Sequence, residues 1–236
     1  MLQEYIRGCA ILLIYFLASV LGAFVVRRFL AVPREVFRKM LHFILLGSSF
    51  IYVYAFNTWW LAALAAAAFM VVVYPILAIG ERLLSFTQLL IERKPGEIKR
   101  SLIVASLTYA ILIVLCWGGL GQKYLVIAAV LGWGTGDAAA ALVGKRFGRR
   151  YVEGPFVEGR KSLEGTAAMF VVSFIAVLVV LVANGVLPWY AYAPTAAVTA
   201  LVCAIVELYT KDGMDTITCP LAAVTVLIPL ICLWGV

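Results

Sequence analysis

Residues 124–150 read YLVIAAVLGWGTGDAAAALVGKRFGRR. The part from Tyr124 to Val143 carries a single ionisable group, Asp137, in an otherwise apolar run. Its length matches the roughly 20 apolar residues that a helix needs to cross a bilayer. The part that follows holds Lys145, Arg146, Arg149 and Arg150. An apolar run closed by a basic flank is the pattern of a membrane span whose end reaches the cytoplasm. This one stretch therefore predicts a transmembrane helix, and it marks Asp137 as a functional candidate. A membrane segment carries an ionisable group only at a free-energy cost.

The same pattern continues on both sides. Of the 236 residues, 65% are hydrophobic and only 13% are charged, with a mean hydropathy of +1.06; a soluble domain carries about 25% charged residues. Eight spans can be placed, at about Cys9–Val26, Phe37–Phe56, Trp59–Ile79, Leu102–Trp117, Tyr124–Val143, Leu163–Ala183, Trp189–Leu208 and Thr218–Trp234. The fold expected is a single all-α domain over 1–236, a polytopic bundle of transmembrane helices.

Charge placement supports this division. Seventeen of the 19 cations fall in the odd-numbered connections, leaving only Arg7, before the first span, and Lys123 on the opposite side. The positive-inside rule then puts the odd connections in the cytoplasm and both termini on the opposite side. The net charge of +7 is thus a property of one face, suited to topology and to anionic headgroups. No soluble basic module is present to bind nucleic acid. The five cysteines lie scattered in apolar segments without metal-ligand spacing and read as small hydrophobes. The first segment reads as a retained anchor, given its length and the following Arg27-Arg28 pair. Runs of alanine at 62–68 and 138–141 read as close helix packing. In the third connection, Leu83, Leu84, Phe86, Leu89, Leu90 and Ile91 form a loosely amphipathic piece, either interfacial or a continuation of the third helix.

The polar chemistry gathers between about 132 and 166, read as a cytoplasmic nucleotide-binding loop. Gly132, Gly134 and Gly136 are expected to loosen the helix ahead of Asp137. A carboxylate there can hold Mg²⁺ among phosphates or form a salt bridge to Arg149 or Lys161. Gly144 and Gly148 bracket Lys145 and Arg146, where glycines can cap a helix and leave amides free for phosphate. Arg160-Lys161-Ser162-Leu163-Glu164-Gly165 opens the sixth span, with Ser162 in position to act as an N-cap. Each motif alone is explained by capping and topology.

Taken together, Asp137, Ala140, Gly144, Gly148, Lys161, Ser162, Glu164 and Gly165 resemble the nucleotide-binding signature of the CTP-dependent lipid kinases (dolichol kinase, phytol kinase and yeast-type diacylglycerol kinase). A more distant similarity is to the CDP-diacylglycerol synthases. Two flanking features extend the resemblance. Arg38-Lys39-Met40-Leu41-His42 is similar to the family's Arg-Lys-x-x-His element, and His42 is the chain's one histidine. Glu207–Pro220 is similar to a segment with a membrane Glu followed by an Asp; here Thr216 stands after Asp215 where many relatives have Asn.

The resemblance implies phosphoryl transfer from CTP, with Mg²⁺, to a polyprenol, phytol or diacylglycerol at the membrane surface. It implies that Lys161, Arg146 and Arg160 neutralise the triphosphate and that Asp137, with Asp215 or Glu207, holds the metal. Gly136, Lys145, Arg38 and Lys39 join the nucleotide site, and the base remains open among His42, Glu207 and Asp215. Two alternatives remain. One is a cytidylyltransferase, although beyond Lys211-Asp212 the chain lacks that group's longer C-terminal box; the other is an anion transporter. The location expected is a prokaryotic plasma membrane with the site facing the cytoplasm; homo-oligomerisation is left open.

Overall fold

A computed structural model describes residues 1–30, 32–82, 96–152, 154, 157, 161–211 and 213–234. Among these, eight α-helices follow in order: α1 (Leu2–Phe29), α2 (Arg34–Tyr54), α3 (Trp59–Arg82), α4 (Glu97–Leu112), α5 (Lys123–Phe147), α6 (Leu163–Asn184), α7 (Tyr192–Tyr209) and α8 (Asp215–Leu233). A π-helical turn, Ile113–Gly119, extends α4. Strands β1 (Tyr151–Val152) and β2 (Lys161–Ser162) pair antiparallel between α5 and α6. Seven helices are long and apolar enough to cross a membrane, α4 by counting Lys99–Gly119; in α3 the shorter stretch Trp59–Pro75 is apolar. The chain is all-α, with the expected helices in the expected order. The amphipathic piece at 83–91 lies outside the described residues.

Where the sequence reads as one domain, backbone contacts group the chain into two compact units, Met1–Gly119 and Leu120–Val236. In the first unit, helix connections and the half-buried Tyr15 and buried Tyr109 are held by hydrogen bonds to or from backbone. The Glu4 carboxylate accepts from the amides of Asn57 (2.8 Å) and Thr58 (3.0 Å), which would otherwise be orphan donors at the start of α3. The Tyr15 hydroxyl donates to the carbonyl of Ile44 at 2.8 Å and the Tyr109 hydroxyl to that of Leu45 at 2.9 Å. A hydroxyl withdrawn from water needs such an acceptor. At the α1–α2 turn, the Arg27 guanidinium lies 4.7 Å from the Phe37 ring centre.

The second unit is organised by the packing of α5 on α6, with α7 against α6 and α8 against both α7 and α5. Small residues recur every fourth position along α5, at Gly132, Gly136, Ala140, Gly144 and Gly148. Gly165, Met169, Ser173 and Val177 face them from α6. A Cβ added at Gly132 would sit 2.8 Å from Val177, one at Gly136 would collide with Ser173, and one at Gly165 would sit 2.9 Å from the Ala140 carbonyl oxygen. Side chains four apart share one helix face, so the pattern is a seam of close backbone approach. Ser173 closes it by donating to the Gly132 carbonyl at 2.6 Å.

This corrects one expectation. Gly132, Gly134 and Gly136 do not loosen the helix: α5 runs unbroken from Lys123 to Phe147. Glycine weakens an isolated helix because its unrestricted backbone loses the most entropy on ordering; here its missing side chain allows α6 to approach. Residues 132–147 of the expected loop are accordingly helical. What lies outside the helices is the segment from Gly148 to the β1–β2 pair.

Candidate active site

The polar residues of the second unit gather where α5 ends, α6 begins, α7 ends and α8 begins. Ser162 is the N-cap of α6, as its position predicts, accepting from the Gly165 amide at 3.1 Å. Glu164 turns back to accept from the amides of Arg149 (3.1 Å) and Arg150 (3.2 Å), and the Leu163 amide donates to the Arg150 carbonyl at 2.9 Å. The end of α5 is thereby tied to the start of α6 through the amides of Arg149, Arg150 and Leu163.

A second correction follows. Gly148 adopts an extended rather than left-handed conformation, and its amide donates to the Gly144 carbonyl. With the next two amides held by Glu164, the glycines leave no free donors for phosphate here. Their spacing reflects packing: a Cβ would stand 3.2 Å from Ser162 Oγ at Gly144 and 2.9 Å from it at Gly148. Beside this turn, Arg146, Phe147, Gly148, Arg149 and Glu164 line an open depression of about 380 Å³. The side chains of Lys145 and Arg146 are exposed. Arg160 lies outside the described residues.

Lys161 points away from the α6 N-terminus and reaches the end of α7. Its ammonium lies 2.9 Å from the Glu207 carboxylate and also donates to the backbone carbonyls of Glu207 and Thr210. The last carbonyls of a helix lack intrahelical partners and carry its negative pole, so a lysine is well suited there. Both side chains are mostly buried, with 20% of Lys161 and 13% of Glu207 exposed.

Asp215 opens α8, where a carboxylate complements the positive helix pole. It accepts from the indole N–H of Trp133 at 3.2 Å. Trp133, only 1% exposed, lies one turn before the half-buried Asp137 on the same face of α5. That face is about 100° around from the glycine seam, so α5 presents glycines to α6 and Trp133 toward α8. Trp133 thus touches Asp215 directly and shares a helix face with Asp137. Below them, the Thr210 and Thr218 hydroxyls meet at 3.0 Å, and buried Cys203 and Cys219 contact each other's carbonyls.

Trp133 and Thr210 carry no sequence signal beyond an aromatic four residues before an acid and a polar residue after a helix. Their roles emerge only from the packing of α5, α7 and α8. Arg38, Lys39 and His42 belong to α2 of the first unit. There Arg38 pairs with Glu35 at 3.1 Å, Lys39 is buried, and the His42 ring meets Phe43 edge-on at 6.4 Å.

These features define an integral membrane protein in which Lys161 pairs with Glu207, and Asp215 with Trp133, among the apolar helices α5 to α8. No family model matches the chain, and no solved structure matches it. Over 219 residues, covering 89% of this chain and 85% of the relative, it is 31% identical to a phytol kinase of Synechocystis sp.. The chain belongs to the phytol kinase family.

Proposed function

We propose that this protein is a CTP-dependent kinase of a membrane lipid alcohol (phytol, a polyprenol or diacylglycerol) with its site on the cytoplasmic face. The observation that carries this reading is the likeness over most of the chain to a phytol kinase, in a protein whose Lys161 pairs with Glu207 at the end of α7 and whose Asp215 is held by Trp133 of α5. CTP as donor comes from the motif resemblance, and the cytoplasmic side from the distribution of cations.

The residues fit a magnesium nucleotide. Asp137 and Asp215 offer two hard oxygen donors from facing helices, and among the described residues no cluster of three or more His, Cys, Asp or Glu forms a metal cage. Mg²⁺ characteristically takes one or two carboxylates and completes its shell with waters and phosphates. When bound there it would neutralise charge on the transferring phosphoryl group.

The remaining work falls to positioning and charge. Lys161, Lys145 and Arg146 hold the triphosphate from its basic side. Trp133 fixes the rotamer of Asp215, and the α5–α6 seam fixes the depth of Asp137. The acceptor hydroxyl approaches laterally from the headgroup level while its hydrocarbon chain stays in lipid.

The test uses purified protein, Mg²⁺ and CTP labelled at either the alpha or the gamma phosphate, with phytol, a polyprenol, diacylglycerol and phosphatidate as acceptors. Gamma label in an alcohol with release of CDP supports the kinase and identifies its substrate. Alpha label in phosphatidate, with release of pyrophosphate, replaces it with a cytidylyltransferase. Label in no lipid at all sinks both.

A further inference from the structure

An ammonium has three N–H donors, and in Lys161 all three have acceptors: the Glu207 carboxylate, the Glu207 carbonyl and the Thr210 carbonyl. A phosphate oxygen can reach this lysine only by displacing one of them. The two carbonyls are fixed backbone at the end of α7, that of Glu207 also accepting from the Thr210 amide at 3.1 Å, and neither can swing away. The carboxylate sits on a rotatable side chain, retains some exposure and carries the charge with which a phosphate competes.

We propose that Glu207 is a positioning residue acting through Lys161. It holds the ammonium at the end of α7 in the resting protein and yields it to the triphosphate, so the strength of this ion pair sets nucleotide affinity. The inference rests on the kinase reading above and assigns Glu207 a role distinct from metal ligand or base. Lys161 keeps its carbonyl contacts throughout and exchanges only its anion. Glu207 thus acts as an internal competitor that occupies the lysine when no nucleotide is bound.

A competitor has a signature opposite to that of a catalytic group. Removing its charge tightens substrate binding, whereas removing a metal ligand or base lowers kcat. The coupling of a partly exposed ion pair predicts that Glu207→Gln binds nucleotide about two- to fivefold more tightly. Glu207→Asp, which keeps the charge but withdraws it by one methylene, should tighten binding less. In a Lys161→Ala background, Glu207→Gln should leave affinity unchanged, because nothing remains to compete for.

The experiment measures equilibrium binding of β,γ-methylene-CTP with Mg²⁺ to the full-length protein in detergent, alongside KM and kcat for CTP. Tighter binding by Glu207→Gln, a KM that falls by more than kcat, and loss of the effect without Lys161 are expected. Unchanged or weaker binding by both Glu207 variants, or a collapse of kcat at constant KM, would overturn the proposal. Wild-type protein that binds no nucleotide would remove the kinase reading itself. That outcome is distinct from a wild type that binds and a variant that does not differ.

Discussion

Asp137 gains its position from residues that carry no charge. Trp133, one turn earlier, is buried against α8 and spends its indole donor on Asp215, while Gly136, its immediate neighbour, lets Ser173 and Met169 approach. Replacing Asp137 by Asn keeps the shape and removes the charge, so turnover should fall at least about 100-fold while the elution profile in detergent stays that of the wild type. Full activity would exclude a metal role. Trp133→Phe should be milder: the ring still fills its space, but Asp215 loses its donor. The Mg²⁺ concentration for half-maximal nucleotide binding should rise, and an unchanged requirement would show that the indole does not orient Asp215.

At the scale of elements, the contact between α5 and α6 carries stability and site geometry together. Gly136→Val would force a branched side chain into Ser173 and Met169, and overpacking of this kind costs about 1–3 kcal/mol. Thermal unfolding in detergent should show it as a lower midpoint. Ser162→Ala deletes the cap of α6 and should cost about 1 kcal/mol; a midpoint equal to the wild type would mean the cap contributes nothing. The helices themselves were legible from runs of apolar residues, because lipid demands a fixed length and satisfied backbone groups. Ser162 was legible because an N-cap is a local event. The glycines were misread because their reason is a partner 30 or more residues away, here Ser173 for Gly136 and Val177 for Gly132. The same holds for the Lys161–Glu207 pair: both residues stand out as charges, but only tertiary packing makes them partners.

At the scale of the whole molecule, the one-sided distribution of cations predicts which ends of the helices face the cytoplasm. Alkaline phosphatase fused at Gly185 should be active, since it is exported, and fused at Lys211 it should be inactive; the reverse result would invert the topology and place the candidate site outside. The α5–α6 seam has a consequence for how the chain tolerates change. On the α5 side its contacts are made by glycine and alanine backbone, and Gly165 meets the Ala140 carbonyl and the Gly144 Cα directly, so little can readjust when a neighbour grows. An unbiased substitution screen scored for lipid phosphorylation should therefore rank positions 136, 144 and 165 beside Asp137 in intolerance, although none of them offers a functional group. Reactivity would be most fragile to change where the chain is chemically silent.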